Sequence, residues 1–303
     1  MCMRGSDSEV GMRKIVLFGA SKLAKRYCQS LPGDVCILGI ADNRYRELDC
    51  FVGHKVIAPQ DIGTFDYDQI VIALDDLKPG NDGEIFKIYH QLKSLGIPEN
   101  RIVLQSFKYT FEHPVHKPRT EYISSLGRYF EHMGISGAVA ECGVYRGWFS
   151  GVLSGVFEKS KLYLFDSFEG FSQDDLEHDT GAARQWVETG ANKRLANTNE
   201  EIVALRILDR SRLEIRKGFI PDTLEGVDDR FAFVNLDMDL YIPQAAALNF
   251  FAGKMIRGGV ILMHDYFSNT LTGTKRALDN FSGKENFSVM PIGDRLSIAL
   301  IKK

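Results

Sequence analysis

Short, almost unbroken apolar runs alternate along this chain with longer stretches whose apolar residues recur every three or four positions. "KIVLFG", "CILGIAD", "QIVIAL" and "RIVL" are too short and too continuous for helices and read as strands buried on both faces. Between them, "SKLAKRYCQSL" and "GEIFKIYHQLKSLG" have helical spacing, and "KVIAPQDI" reads as a short strand and turn. Strands alternating with helices predict a parallel sheet with right-handed crossovers.

The pattern breaks at "QSFKYTFEHPVHKPRTEY", where Pro114 and Pro118 and mixed charge predict a linker over 108–120. A second series follows it. The helix "EYISSLGRYFEHMG" leads into the strand "GAVAECG", the helix "GWFSGVLSGVFE" and the strand "KLYLFDSF". The stretch from about Ser172 to Asn199 is polar and predicts a structureless connection, read as a lid over an acceptor with Trp186 as its apolar face. Beyond it come the helix "NEEIVALRIL", the strand "LEIRKG", and two apolar runs, "RFAFVNLDMDLY" and "GGVILMHDY", flanking a helix with Pro243 in its first turn. "TGTKRALDNF" is a last helix, and "FSVMPIG" and "RLSIALIKK" a closing antiparallel pair turning at Gly293-Asp294. The expected fold is therefore α/β with two doubly wound domains, 12–107 and 121–303, the second built on a seven-stranded sheet.

Composition narrows the function. The 303 residues carry a formal net charge of −3, which gives no electrostatic footprint for nucleic acid or an anionic membrane. No apolar run approaches a membrane span of roughly 20 residues. Residues 1–11 read as a polar leader outside the fold, with Met12 as an alternative start. The five cysteines include no C-x-x-C pair, so a reducing cytoplasm is expected rather than a disulfide scaffold. Cys142 reads as a small buried thiol rather than a nucleophile.

In an open parallel sheet, ligands sit beyond the carboxyl ends of the strands, and the second series places its polar residues there. Glu141 closes one strand and leads into "CGVYRG", where Gly143 and Gly147 let the backbone turn sharply beside a ligand. This spacing is not G-x-G-x-x-G, which argues against a pyrophosphate cradle. Asp166 ends the next strand about twenty residues later, where an acid can take both ribose hydroxyls. An acid without phosphate-binding glycines fits a nucleoside lacking a pyrophosphate, and S-adenosylmethionine is the expected cofactor. Asp237 and Asp239, at i and i+2, can face one crevice. Asp265 on a neighbouring strand completes an oxygen-rich site of the kind magnesium prefers.

"AECGVYRG", "LFDSFEGF", "GFIPDTL", "LDMDLY" and "GGVILMHDY", in this order, resemble the macrocin O-methyltransferase family over roughly residues 120–303. The resemblance implies a class I methyltransferase fold and a metal-assisted, S-adenosylmethionine-dependent O-methyltransferase acting on a sugar hydroxyl of a saccharide, nucleotide-sugar or glycosylated natural product. It implies that Glu141, Gly143 and Gly147 surround the methionine end of the cofactor, with Tyr145 and Ser167 beside it. Asp166 would hold the ribose, and Gly218 and Phe219 would flank the adenine. Asp237 and Asp265 match metal ligands and Asp239 a general base. The family's second metal motif is commonly "DDY", whereas this chain has His264-Asp265-Tyr266. Three readings of His264 stay open: a ligand that moves the preference from magnesium toward zinc, iron or another transition metal, the general base itself, or a strand-end hydrogen-bonding residue.

"LFGASKLAKRY" and "GIADN", with Asp42, resemble the small Rossmann-like domains of sugar and polysaccharide biosynthesis proteins. Two of the three fingerprint glycines after the first strand are missing. Docking, nucleotide-sugar binding or NAD-type binding are the roles left for this domain, so an NAD(P)-dependent oxidoreductase or epimerase and a non-catalytic nucleotide-sugar-binding protein are the alternatives. The expected partner is a small-molecule or saccharide acceptor, with no nucleic acid or membrane. Nothing in the sequence specifies an oligomeric state, a homo-oligomer included.

Overall fold

A computed structural model describes residues 12–29, 33, 35–74, 81–104, 116–179, 181–207 and 209–303. The chain divides into two compact units, Met1–Phe107 and Lys108–Lys303. No helix among the described residues is long and apolar enough to cross a membrane.

In the first unit, the order is β1 (Arg13–Phe18), α1 (Lys22–Gln29), β2 (Val35–Ala41), β3 (Cys50–Phe51), β4 (His54–Ile57), β5 (Gln69–Ile72), α2 (Asn81–Ser94) and β6 (Ile102–Leu104). The sheet runs β3-β4-β2-β1-β5-β6, parallel except where the two-residue β3 pairs antiparallel with β4. Of that hairpin, β4 falls on the run read as a short strand, while the two-residue β3 was not legible. Leu17, Phe18, Ile40 and Ile70 are buried at the centre of the sheet. At the carboxyl ends, Ser21 Oγ accepts from the amides of Leu23 and Ala24 at the start of α1, at 3.1 and 3.0 Å. Asp42 accepts from the Ala20 amide at 2.7 Å and pairs with Arg44 Nε at 3.1 Å. In an intact dinucleotide fingerprint these two places take the pyrophosphate and the ribose; here both have partners within the chain.

The second unit contains α3 (His116–Met133), β7 (Ala138–Cys142), α4 (Trp148–Val156), β8 (Leu162–Asp166), α5 (Gln173–Glu177), α6 (Gly181–Trp186), α7 (Asn192–Leu195), α8 (Glu200–Ala204), β9 (Leu213–Lys217), β10 (Phe231–Leu236), α9 (Tyr241–Lys254), β11 (Met255–Met263), α10 (Gly273–Asn280), β12 (Phe287–Pro291) and β13 (Ile298–Lys302). Its seven strands run β12-β13-β11-β10-β7-β8-β9, with only the β13 pairings antiparallel. Alternation across β7 accounts for the layers. Ala138, Ala140 and Cys142 face a cluster with Leu248 and Phe251 of α9, while Val139 faces one with Phe130 of α3 and Leu153 of α4.

Three expectations need correction. The polar stretch after Ser172 is helical, not structureless, because its small polar residues act as caps: Ser172 Oγ accepts from Asp175 N at 3.0 Å and Asn199 Oδ1 from Ile202 N at 2.9 Å. The helix expected to follow residue 120 already begins at His116 and takes Pro118 into its first turn, where a missing N–H is harmless; residues 108–115 of the expected linker lie outside the described residues. The connection between β12 and β13 is a wider loop, held by Asp294 Oδ1 accepting from Leu296 N and Ser297 N at 3.0 and 2.7 Å. Thr180 and the side chain of Trp186, the proposed lid face, lie outside the described residues.

Candidate active site

β7 and β10 are neighbours, so their carboxyl ends emerge side by side. The Asp237 amide donates to the Cys142 carbonyl at 2.8 Å. Immediately beyond, Gly143 has φ +84°, and a Cβ there would lie 2.1 Å from the Asp237 carbonyl oxygen. Only glycine lets these two turns touch. Left-handed backbone also occurs at Tyr145 (φ +52°), Phe168 (+59°), Asp239 (+66°) and Asp265 (+57°), just past β7, β8, β10 and β11. Such strain of roughly 1–3 kcal/mol per residue gathers at functional sites.

These strand ends enclose one cleft of about 300 Å³, at the lower end of the range for small-molecule sites. Of the residues expected at the cofactor, Glu141, Gly143, Tyr145, Asp166, Ser167, Gly218 and Phe219 line it. Gly147 does not. It caps α4 at φ +70°, with Val203 3.1 Å from where a Cβ would be. Asp237, Asp239, His264 and Asp265 line the same cleft. The helical insertion borders it through Ser172, Asp175 and Leu195.

Asp166 is engaged more fully than a free ribose ligand. Its Oδ2 accepts from the amides of Val144 and Tyr145 at 2.7 and 2.8 Å, and Oδ1 from Phe168 N at 2.7 Å. A carboxylate has about four acceptor positions, so room remains for one hydroxyl rather than two. Burial raises its carboxyl despite the three amides. Glu141 is 2% exposed, accepts from Asn235 Nδ2 at 3.3 Å and from Ser150 Oγ, and is pushed up to about 8 by burial. Burial also lifts the Cys142 thiol well above its ordinary value. A neutral buried thiol is no nucleophile.

The acidic tips converge. His264 Nδ1 lies 2.7 Å from Asp265 Oδ2 and 3.0 Å from Asp237 Oδ1. Burial opposes charge on this imidazole, but Asp237 outweighs it and raises His264 to about 10. Burial likewise opposes ionisation of Asp237, yet the positive charges of His264 and Arg119 hold it well below the carboxylate range. Asp239 goes the other way: burial, the charges of Asp265 and Asp237, and a hydrogen bond to Asp265 keep its proton on. Among the described residues nothing hydrogen-bonds His264 Nε2.

The same set fits a cation. One ligand atom each from Asp237, His264 and Asp265 lie within 4.8 Å of one another. Separations of 2.7 and 3.0 Å match the edge of a coordination shell with bonds of about 2.1 Å. One nitrogen and two oxygens suit a transition metal better than magnesium.

Arg119, Ser150 and Asn235 escaped the sequence reading. Arg119 stands in what reads as linker, and its partners are 116 and 118 residues away. Met238, Leu240, Phe149 and Phe171 also line the cleft, and their apolar character merges with the core pattern.

Residues 115–293 match the model of the macrocin-O-methyltransferase (TylF) family, and residues 11–103 that of the C2185-like N-terminal domain. Among solved structures, the O-methyltransferase NovP is similar at 24% identity, over 61% of this chain and 80% of that one, with a TM-score of 0.54. The calicheamicin methyltransferase CalS11 is similar at 17% identity, over 75% of this chain and 93% of that one, with a TM-score of 0.52. A search of curated proteins found no match.

Proposed function

Because the chain belongs to the macrocin-O-methyltransferase family, we propose that it is an S-adenosylmethionine-dependent O-methyltransferase that methylates a sugar hydroxyl of a saccharide, nucleotide-sugar or glycosylated natural product with help from a divalent cation. The observation that carries this reading is the meeting of Asp166 and the Gly143 turn with Asp237, His264 and Asp265 in one cleft. The cofactor and cation would supply an electrophilic methyl and a Lewis acid respectively.

The chain's own residues do the rest. Asp166 keeps one acceptor position for a ribose hydroxyl, Phe219 and Gly218 flank the adenine, and Glu141 stands at the methionine end. Asp237, His264 and Asp265 would hold the cation and orient the acceptor oxygen, which positions the reacting atoms. The acceptor oxygen would take the methyl as its bond to sulfur breaks, and the hydroxyl proton would pass to Asp239. That carboxyl is protonated at rest because of burial and the charges of Asp265 and Asp237. It would become a base only after releasing that proton to solvent, which engagement of the charges of Asp265 and Asp237 by a cation would favour.

A second reading is favoured by the pose of His264. With Nδ1 against two carboxylates, Nε2 can face the acceptor without a cation and act as its base after the imidazole, raised to about 10 by Asp237, has released its own proton to solvent. Methyl transfer from labelled S-adenosylmethionine to a panel of sugar acceptors, before and after exhaustive chelation, tests both. Loss of turnover with recovery on adding manganese or magnesium supports the cation. Full activity after chelation moves the base role to His264. Absence of S-adenosylhomocysteine binding by calorimetry would overturn the proposed activity. The cysteine usage supports a cytoplasmic enzyme. For the first unit, the partners of Ser21 and Asp42 support docking or acceptor binding over NAD(P).

A further inference from the structure

Arg119 projects from the first turn of α3 and is 1% exposed. Its guanidinium lies 4.0 Å from the centre of the Phe149 ring. Nη2 donates to Asn235 Oδ1 at 2.6 Å, and both Nη1 and Nη2 reach Asp237 Oδ2 at 3.2 Å. Asn235 in turn donates to Glu141 at 3.3 Å. The two oxygens of Asp237 are thus divided: Oδ2 goes to arginine, while Oδ1 faces His264 Nδ1 at 3.0 Å.

We propose that Arg119 is a positioning residue for Asp237, fixing its carboxylate so that Oδ1 alone is presented to the cleft. A planar fork suits this task and an ammonium does not. It can lie flat on Phe149 while spanning Asn235 and Asp237 with different donors. With the fork held from three sides, Asp237 cannot swing to offer both oxygens, and its orientation is set before any ligand arrives. Outer partners of ligating carboxylates tune metal sites in this way. The inference rests on the reading of Asp237, His264 and Asp265 as cation ligands, so its test includes a readout that needs no cation.

Mn²⁺ binding to the full-length protein is measured by calorimetry for wild type, Arg119→Lys, Arg119→Met, Asp237→Asn and the Arg119→Met/Asp237→Asn double variant. The ¹⁵N signals of the His264 imidazole are recorded on the same proteins without metal. Arg119→Met is expected to weaken Mn²⁺ binding by ~10–100-fold and to shift the His264 Nδ1 signal. Both effects should vanish in the Asp237→Asn background, while S-adenosylhomocysteine affinity stays within ~2-fold. Arg119→Lys keeps the charge, loses the fork and should fall between wild type and Arg119→Met; it carries the test if the methionine variant does not fold. A purely structural role would lower stability equally with or without Asp237. Unchanged Mn²⁺ affinity with an unmoved His264 signal overturns the proposal, as do equal effects in the Asp237→Asn background. If wild type binds no Mn²⁺, the cation reading fails and the His264 signal alone decides the role of Arg119.

Discussion

Replacing Gly143 by alanine adds one carbon at the point where the turns after β7 and β10 touch. Two penalties follow. Alanine at φ +84° costs about 1–2 kcal/mol for left-handed backbone. The new Cβ would also stand 2.1 Å from the Asp237 carbonyl oxygen and 2.7 Å from its carbon, and a backbone cannot rotate aside as a side chain could. The turns must part by about 1 Å to restore ordinary contact, which breaks the 2.8 Å bond from the Asp237 amide to Cys142 at about 1 kcal/mol. The sum is about 2–3 kcal/mol, or a fall in Tm of roughly 4–12 °C for a unit of this size. Asp237 moves with its backbone, and a displacement of about 1 Å at reacting groups can lower turnover ~100-fold. Gly147→Ala meets Val203 at 3.1 Å instead, away from the acidic tips, and should destabilise without comparable loss of turnover. Thermal unfolding by circular dichroism and methyl transfer on purified variants would show the contrast. A Gly143→Ala protein with unchanged Tm and turnover would refute the contact between the two turns.

Asp166→Ala leaves the amides of Val144, Tyr145 and Phe168 without their acceptor, and should abolish S-adenosylhomocysteine binding and lower stability by several kcal/mol at about 1–3 kcal/mol per group. Glu141 keeps its proton in the fold up to about pH 8 but loses it near 4.5 when unfolded, so the folded state binds more protons across that window and stability falls as pH rises, by at most roughly 5 kcal/mol. Glu141→Gln should remove this slope, raising Tm over wild type at pH 8.5 but not at pH 4.5; equal slopes would contradict the buried carboxyl. Asp179→Ala removes the acceptor for the Tyr241 amide at 2.7 Å and the partner of Arg276 at 3.5 Å, so limited proteolysis within 181–199 should accelerate while the rest of the unit keeps its protection.

The central strands were legible because they are buried on both faces. β7 and β10 have no exposed position, and a continuous apolar run of that length suits little besides a buried strand. The acidic tips were legible because charge at the end of such a run has no place in a core. Asp166 was expected as a strand-end acid and does end β8, yet its three amide donors come from chain folding back over it, which spacing does not disclose. Arg119 left no trace, since a basic residue between two prolines and a helix looks solvated until α3 is packed on β10. The insertion after Ser172 looked unstructured for a related reason: its helices are only four to six residues long, held by caps and contacts rather than by an apolar stripe.

Crystals grown with S-adenosylhomocysteine and Mn²⁺, with anomalous data at the manganese edge, address the shared cleft most directly. The expected map has the adenosyl group between Asp166 and Phe219, and one manganese peak bonded to Asp237, His264 and Asp265. An adenosyl group bound elsewhere, or manganese away from those three side chains, would contradict it.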